Sequence, residues 1–192
     1  MAPVPKKKAT YEDLMAVPEH LVAEIVDGEL FTSPRPKLPH AQSSSQLLAD
    51  LLGAFGGPPG GAESHPGGWW ILFEPELHFA EDVVVPDLAG WRRARLPALP
   101  DVVGISLAPD WLCEVLSPST GQLDRVRKLP LYAREGVPNV WLVDPGDRTL
   151  EVCRLEAGRW IVAGAYGDRD VVRAEPFDAV ELDLSRWWTD TA

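Results

Sequence analysis

"WLCEVLSPSTGQLDRVRKLPLY", residues Trp111 to Tyr132, decides how this chain is read. It opens on a nearly continuous apolar run, Trp111 to Leu116, of the kind found in strands buried on both faces. Glu114 interrupts that run. A carboxylate is rarely buried without a partner, so either the strand end opens into a solvated pocket or Glu114 has a cation to hold. The second half predicts a helix from about Gln122 to Glu135, kinked at Pro130 and stopped by Gly136, with Pro138 beyond. Lys128 and Tyr132 are four residues apart and share one face of that helix.

Downstream, "NVWLVDP" (Asn139–Pro145) is a second buried strand. The turns "PGDRT" and "AGR" then lead through "LEVCRLE" into "WIVAGAY", a hairpin meander. The tail "DVVRAEPFDAVELDLSRWW" (Asp170–Trp188) is strand-rich. Upstream, "DVVVPDLAGW" (Asp82–Trp91) is one strand, and "WWILFEPELHFA" (Trp69–Ala80) is another with a break at Pro75. In "HAQSSSQLLADLLGAF" (His40–Phe55), Leu47, Leu48, Leu51, Leu52 and Phe55 recur at helical spacing. "LVAEIVDGELFTSP" (Leu21–Pro34) is two short strands joined by Asp27-Gly28, a strong hairpin signal. Thr10-Tyr11-Glu12-Asp13 has the pattern of a capping box and opens a short helix ending before Pro18. Gly56–Gly68 is a flexible loop by composition. The expected fold is α/β: a mixed central β-sheet flanked by helices, with an added N-terminal hairpin and a C-terminal β meander. Residues 11–188 read as a single domain after a flexible N-terminal arm, residues 1–10.

A chain of 192 residues with 45% apolar and 24% charged residues can bury a proper core. No apolar stretch approaches the ~18 residues of a membrane helix. MAPVPKKKAT lacks the apolar segment of a signal peptide. Cys113 and Cys153 both lie in strand-like runs, which indicates buried thiols in a reducing cytoplasm rather than a disulfide or zinc site. A formal charge of -11 argues against strong non-specific affinity for nucleic acid. Even so, Arg92, Arg93 and Arg95 cluster, as do Arg125, Arg127, Lys128 and Arg134. Each cluster is either a local basic rim or ordinary solvated surface. Trp69, Trp70, Trp111, Trp141 and Trp160 lie within strands and are read as core, whereas Trp187-Trp188 suit a subunit contact.

Asp87, after Pro86, and Glu114 stand near strand ends. On neighbouring strands their side chains lie ~5 Å apart on one face, and two such carboxylates repel unless a proton or cation is shared. Oxygen ligands of this kind suit Mg²⁺, which polarises a phosphoryl oxygen and activates water. The main-chain carbonyl of Val115 is a candidate third ligand. A phosphodiester-cleaving site also wants a cation near the attacking water. The position two after Glu114 is Leu116, so Lys128 on the helix is the candidate, and its charge is expected to depress the carboxylate pKa values. The bland alternative is a Pro-Asp turn and a glutamate pointing to water.

At these residues the chain resembles the Uma-type (Uma-two) family of restriction endonucleases, a branch of the PD-(D/E)XK nuclease superfamily. The resemblance is carried by "AEIVDGELFTSP", "PHAQSSSQLLADLL", "VVVPDLAGW", "WLCEVLSPST" and "DRVRKLPLYAREGVPNVWLVDP" and spans about Tyr11 to Trp188. It implies a restriction-endonuclease-like sheet and a Mg²⁺-dependent cut of DNA, with Mn²⁺ as a substitute. Asp87 and Glu114 match the acidic ligands, and Lys128 matches a lysine moved to the helix. Glu24 also matches a family position, either reaching the metal or forming a salt bridge. His40 does too, as a site residue or as a surface histidine at a helix start. Arg92, Arg93, Arg125 and Arg127 are the candidate DNA contacts. A homodimer would suit a two-fold DNA site. Two other readings stay open: a nuclease-fold protein whose work is binding or assembly, and a hydrolase of a small phosphorylated molecule.

Overall fold

The computed structural model describes residues 7–60 and 65–189. Residues 1–6 of the expected arm and part of the Gly56–Gly68 loop lie outside them. The helix α1 (Tyr11–Met15) opens on the capping box foreseen at Thr10 and Asp13. Just before it, Ala9 donates to the Gly28 carbonyl at 2.8 Å and Lys8 pairs with Glu81. Strands β1 (Leu21–Val26) and β2 (Glu29–Pro34) form the foreseen hairpin. Asp27 and Gly28 take φ of 51° and 75°, the left-handed pair that a two-residue turn requires. Helix α2 (Leu38–Phe55) follows, with Leu47, Leu51 and Phe55 buried.

The strands then divide between two sheets. β3 (Trp69–Phe73) and β6 (Leu88–Arg92) join a six-stranded sheet, while β4 (Glu76–Phe79), β5 (Asp82–Val84) and β7 (Gly104–Ile105) join a five-stranded one. Pro75 therefore does more than break a strand: it separates segments that pair in different sheets. The run Asp82–Trp91 is likewise two strands rather than one. Pro86 has no N–H to give to a ladder, and the chain changes sheet there. Asp87 is the first residue after that change.

β8 (Trp111–Val115) is central and wholly buried, as read. It pairs antiparallel with β6 and parallel with β9 (Asn139–Asp144). β10 (Thr149–Glu156) and β11 (Arg159–Gly167) continue that same sheet, in the order β11-β10-β9-β8-β6-β3. The meander is thus part of the central sheet rather than an addition. The tail contributes only β12 (Val171–Val172) and β13 (Leu182–Asp183), joined as a pair. The other tail residues include Phe177 and Trp187, which fill the core.

Alternation along β8 sorts its side chains. Trp111, Cys113 and Val115 face α2 and the tail, packing with Leu47, Leu51, Phe177 and Trp187. Leu112 and Leu116 face the second sheet, packing with Val26, Leu77 and Val84. Trp187 is fully buried beside Trp141 and donates to Asp50 at 2.9 Å, so the subunit-contact reading does not hold for it. Both cysteines are buried and unpaired, as expected. Among the described residues no helix is long and apolar enough to cross a membrane.

The kinked helix has three parts: α3 (Gly121–Leu123), a π-helical turn (Asp124–Lys128) and α4 (Leu129–Arg134). Leu129 donates to the carbonyl five residues back, at Asp124. In a regular helix the ring of Pro130 would press on the Val126 carbonyl, and a widened turn immediately before the proline relieves that clash.

Candidate active site

Glu114 lies on the face of β8 that looks toward the second sheet, and Tyr132 and Lys128 look back at it. The Lys128 ammonium lies 2.9 Å from Glu114 Oε1, and the Tyr132 hydroxyl donates to the same oxygen at 2.5 Å. Lys128 also meets Glu24 at 2.8 Å, from β1 of the other sheet, and Asp124 at 3.5 Å, one turn earlier on its own helix. Glu24 accepts in addition from the Val85 N–H at 2.8 Å. All four of these charged side chains are buried. Glu114 therefore has the cation that was one of the two outcomes its sequence context allowed, with the Tyr132 hydroxyl as a further partner.

Asp87 closes the other side. The register that pairs Leu88 with Cys113 puts Asp87 one step further on, across from Glu114. Its Oδ2 accepts the Val115 N–H at 2.7 Å, replacing a rung of the ladder. Its Oδ1 lies 3.2 Å from Nε2 of His40, in the first turn of α2. His40 also has a hydrogen bond to the main chain of Val115. Glu74, between β3 and β4, donates its N–H to the Asp87 carbonyl.

Burial dominates the electrostatics. It pushes the Glu114 carboxyl well above its ordinary range, with Lys128 opposing and Asp124, Asp87 and Glu24 adding to the rise. Lys128 does lower the Glu114 carboxyl, as expected, but loss of solvent outweighs one shared ammonium and the net direction is upward. Asp124 is raised for the same first reason. Burial would lower Lys128, but the surrounding carboxylates, Glu114 first, hold it well above its ordinary value. Burial would also lower His40, yet Asp87 and Val115 outweigh it and raise it. Burial, then Asp87, raises Glu74. The result is a concentration of carboxyl groups: Glu24, Asp87, Glu114 and Asp124 lie around one lysine and one histidine.

The carboxylates of Asp87, just before β6, and Glu114, on β8, are oxygen donors of the kind a hard, oxygen-seeking cation takes. Among the described residues no three His, Cys, Asp or Glu side chains already converge as a metal-ligand group. The expected set needs only two such side chains.

The arginines are placed less simply. Arg92, Arg93 and Arg95 lie at the far end of β6, roughly 16 Å along the strand from Asp87 at ~3.3 Å per residue. Arg92 and Arg93 lie over the rings of Trp69 and Trp70, and Arg95 pairs with Asp110. Arg125 and Arg127 precede Lys128 on the π turn, paired with Glu151 and with Asp27 and Glu29 respectively. Sequence reading missed Asp124 and Glu74. Asp124 had a usable signal, since it stands four residues before Lys128. Glu74 had none, because its approach to Asp87 depends on the crossing between sheets.

The fold is an α/β domain with acidic groups at the ends of adjacent strands and a lysine on the following helix. The chain belongs to the Uma2 family, described as "Putative restriction endonuclease", whose model matches residues 9–185. The fold is similar to that of a DUF820 "putative nuclease" from Anabaena variabilis, with a TM-score of 0.71 at 20% identity, covering 93% of this chain and 97% of that one. No curated protein matches the sequence.

Proposed function

We propose that this protein is a Mg²⁺-dependent endonuclease that hydrolyses phosphodiester bonds in DNA, with Mn²⁺ able to substitute. The observation that carries the reading is the placement of Asp87 across from Glu114 within a surplus of carboxylates. Asp87, Glu114 and the Val115 carbonyl would hold the metal, which when bound polarises a phosphoryl oxygen and lowers the pKa of water. Lys128 holds Glu114 from behind and supplies positive charge next to the site, while Tyr132 fixes the orientation of that carboxylate. Glu24 and Asp124 anchor Lys128. His40 would orient Asp87, 3.2 Å from it, and contact a phosphate or the attacking water. Arg125 and Arg127 are the DNA contacts nearest to it, with Arg92 and Arg93 more remote. A homodimer would address both strands.

One observation favours a second reading, a nuclease-fold binding or assembly protein. The net charge is -11, and Arg125 and Arg127 already have carboxylate partners. Calorimetric titration of Mg²⁺ and Mn²⁺ into wild type and Asp87→Asn, beside a plasmid-cleavage assay, separates the two. The nuclease reading expects metal uptake and nicking by wild type, and loss of both in the variant. Metal uptake without cleavage of any DNA would favour the second reading. Filter binding with Ca²⁺ in place of Mg²⁺ tests DNA affinity alone, which should fall steeply as salt rises.

A further inference from the structure

Side-chain exposure rises in one direction through the centre. It is 2% at Lys128 and 3% at Glu114, then 14% at Asp87, 25% at Glu74 and 58% at Arg35. Glu24 and Asp124, which also surround Lys128, are buried. The centre therefore opens to solvent on the Asp87 side, past Glu74, and Arg35 stands at the opening.

Glu74 is held there in an unusual conformation. Its φ of 44° lies in the left-handed region, where glycine is the relaxed choice. Asp27, Ala80, Arg148 and Ala157 also have positive φ, but each lies in a turn between two strands that pair with each other. Glu74 lies between β3 and β4, which belong to different sheets. A strained residue outside a hairpin turn, beside a candidate site, points to a side chain in use. Its N–H is tied to the Asp87 carbonyl at 2.9 Å. After burial, the groups acting on its carboxyl are Asp87, Arg35 and His40, in that order.

Arg35 is oriented, and most of its donors stay open. Pro34 and Pro36 flank it and restrict its backbone. One terminal nitrogen donates to the Glu19 carbonyl at 3.2 Å, and the other lies 3.7 Å from Glu74, too far for a hydrogen bond. The remaining N–H groups of the planar fork have no acceptor among the described residues. By contrast, Arg125 is bonded to Glu151 through both terminal nitrogens, and Arg92 and Arg93 lie over tryptophan rings. A guanidinium with an open fork matches the oxygens of a phosphate.

We propose that Arg35 binds a phosphate of the substrate at the mouth of this centre and that Glu74 is its positioning residue. This role rests on the endonuclease reading. Glu74 draws the guanidinium toward the Asp87 side without taking up its hydrogen bonds, so an incoming phosphate meets donors that are already oriented.

Filter binding of a DNA duplex with Ca²⁺, over a salt series, tests the role without cleavage. Arg35→Ala should keep the melting temperature and Mg²⁺ uptake but weaken binding at least about tenfold. It should also reduce the slope of log affinity against log salt by about 0.9, the share of one phosphate. Arg35→Lys should restore the slope but only part of the affinity, because an ammonium lacks the fork. Arg159→Ala, on edge strand β11 three strands from β8, removes the same charge and should change neither. Glu74→Gly relaxes the backbone and should keep the melting temperature. In that background Arg35→Ala should weaken binding much less, because the arginine is no longer held in place. A wild type that binds no DNA overturns the endonuclease reading and this role together. A wild type that binds, beside an Arg35→Ala variant with unchanged affinity and salt slope, overturns the role of Arg35 alone. So does an Arg159→Ala variant that loses as much. Lower Mg²⁺ uptake in Glu74→Gly would make Glu74 a metal ligand and overturn its positioning role.

Discussion

Lys128 Nζ lies 2.8 Å from Glu24 and 2.9 Å from Glu114, so one buried ammonium ties β1 of the five-stranded sheet to β8 of the six-stranded sheet. The candidate site and the junction between the sheets are thus one structure, and changes to Lys128 act on both.

Lys128→Ala is expected to destabilise the protein as well as impair cleavage. It leaves Glu24, Glu114 and Asp124 buried without their shared cation, and breaking a buried pair this way costs about 3–5 kcal/mol. Urea denaturation at neutral pH checks this. An unchanged midpoint would mean that Lys128 is not buried against these acids.

The metal-free protein should lose stability relative to Glu114→Gln as pH rises above about 4.5, the ordinary glutamate value. Glu114 has a folded-state pKa raised mainly by burial, so below that value the folded and unfolded chains are both protonated at this site. At higher pH the unfolded chain releases the proton first, so the penalty on folding grows until the folded carboxyl also ionises and stays constant above that. Thermal melts of both proteins from pH 4 to pH 8 read the difference. A constant gap across that range would contradict the raised value.

Tyr132→Phe removes only the hydroxyl that donates to Glu114 and keeps the buried ring. The expected cost is about 1–3 kcal/mol, since a buried acceptor loses its partner. Chemical denaturation gives the stability. Weaker Mg²⁺ uptake in the same variant would tie the hydroxyl to the orientation of Glu114.

Asp87→Asn should leave the fold nearly intact, because an amide oxygen can still accept the Val115 N–H. Metal affinity should fall by more than the roughly 10–100-fold seen when outer-shell partners are lost. Calorimetry supplies that number, and a melting curve confirms the fold.

Trp187→Ala should cost about 3–5 kcal/mol, as for other large-to-small changes of buried aromatics. If Trp187 instead belonged to a subunit contact, the variant would change the sedimentation coefficient and leave the monomer's stability alone.

The sequence by itself determined the local elements. Thr10 and Asp13, Asp27-Gly28, the helical leucines of α2 and the apolar run around Glu114 each announce their conformation through caps, turns and periodicity, which act over a few residues. It also singled out Glu114 as a carboxylate in need of a partner, and it put Lys128 and Tyr132 on the face that supplies one. Only the tertiary structure decided which strands share a sheet. Pro75 and Pro86 are visible as breaks, but which sheet each following segment joins depends on packing among residues far apart in the chain. For that reason Glu74 from the β3–β4 crossing could not be placed beside Asp87 in advance, and the choice for Glu24 between reaching a metal and a salt bridge stayed open until β1 was seen to bring it to Lys128. The same holds for Trp187, which looks like a terminal surface aromatic until the tail folds back over Trp141. Burial is set by the whole fold, and burial outweighs the lowering by Lys128 and leaves the Glu114 carboxyl raised.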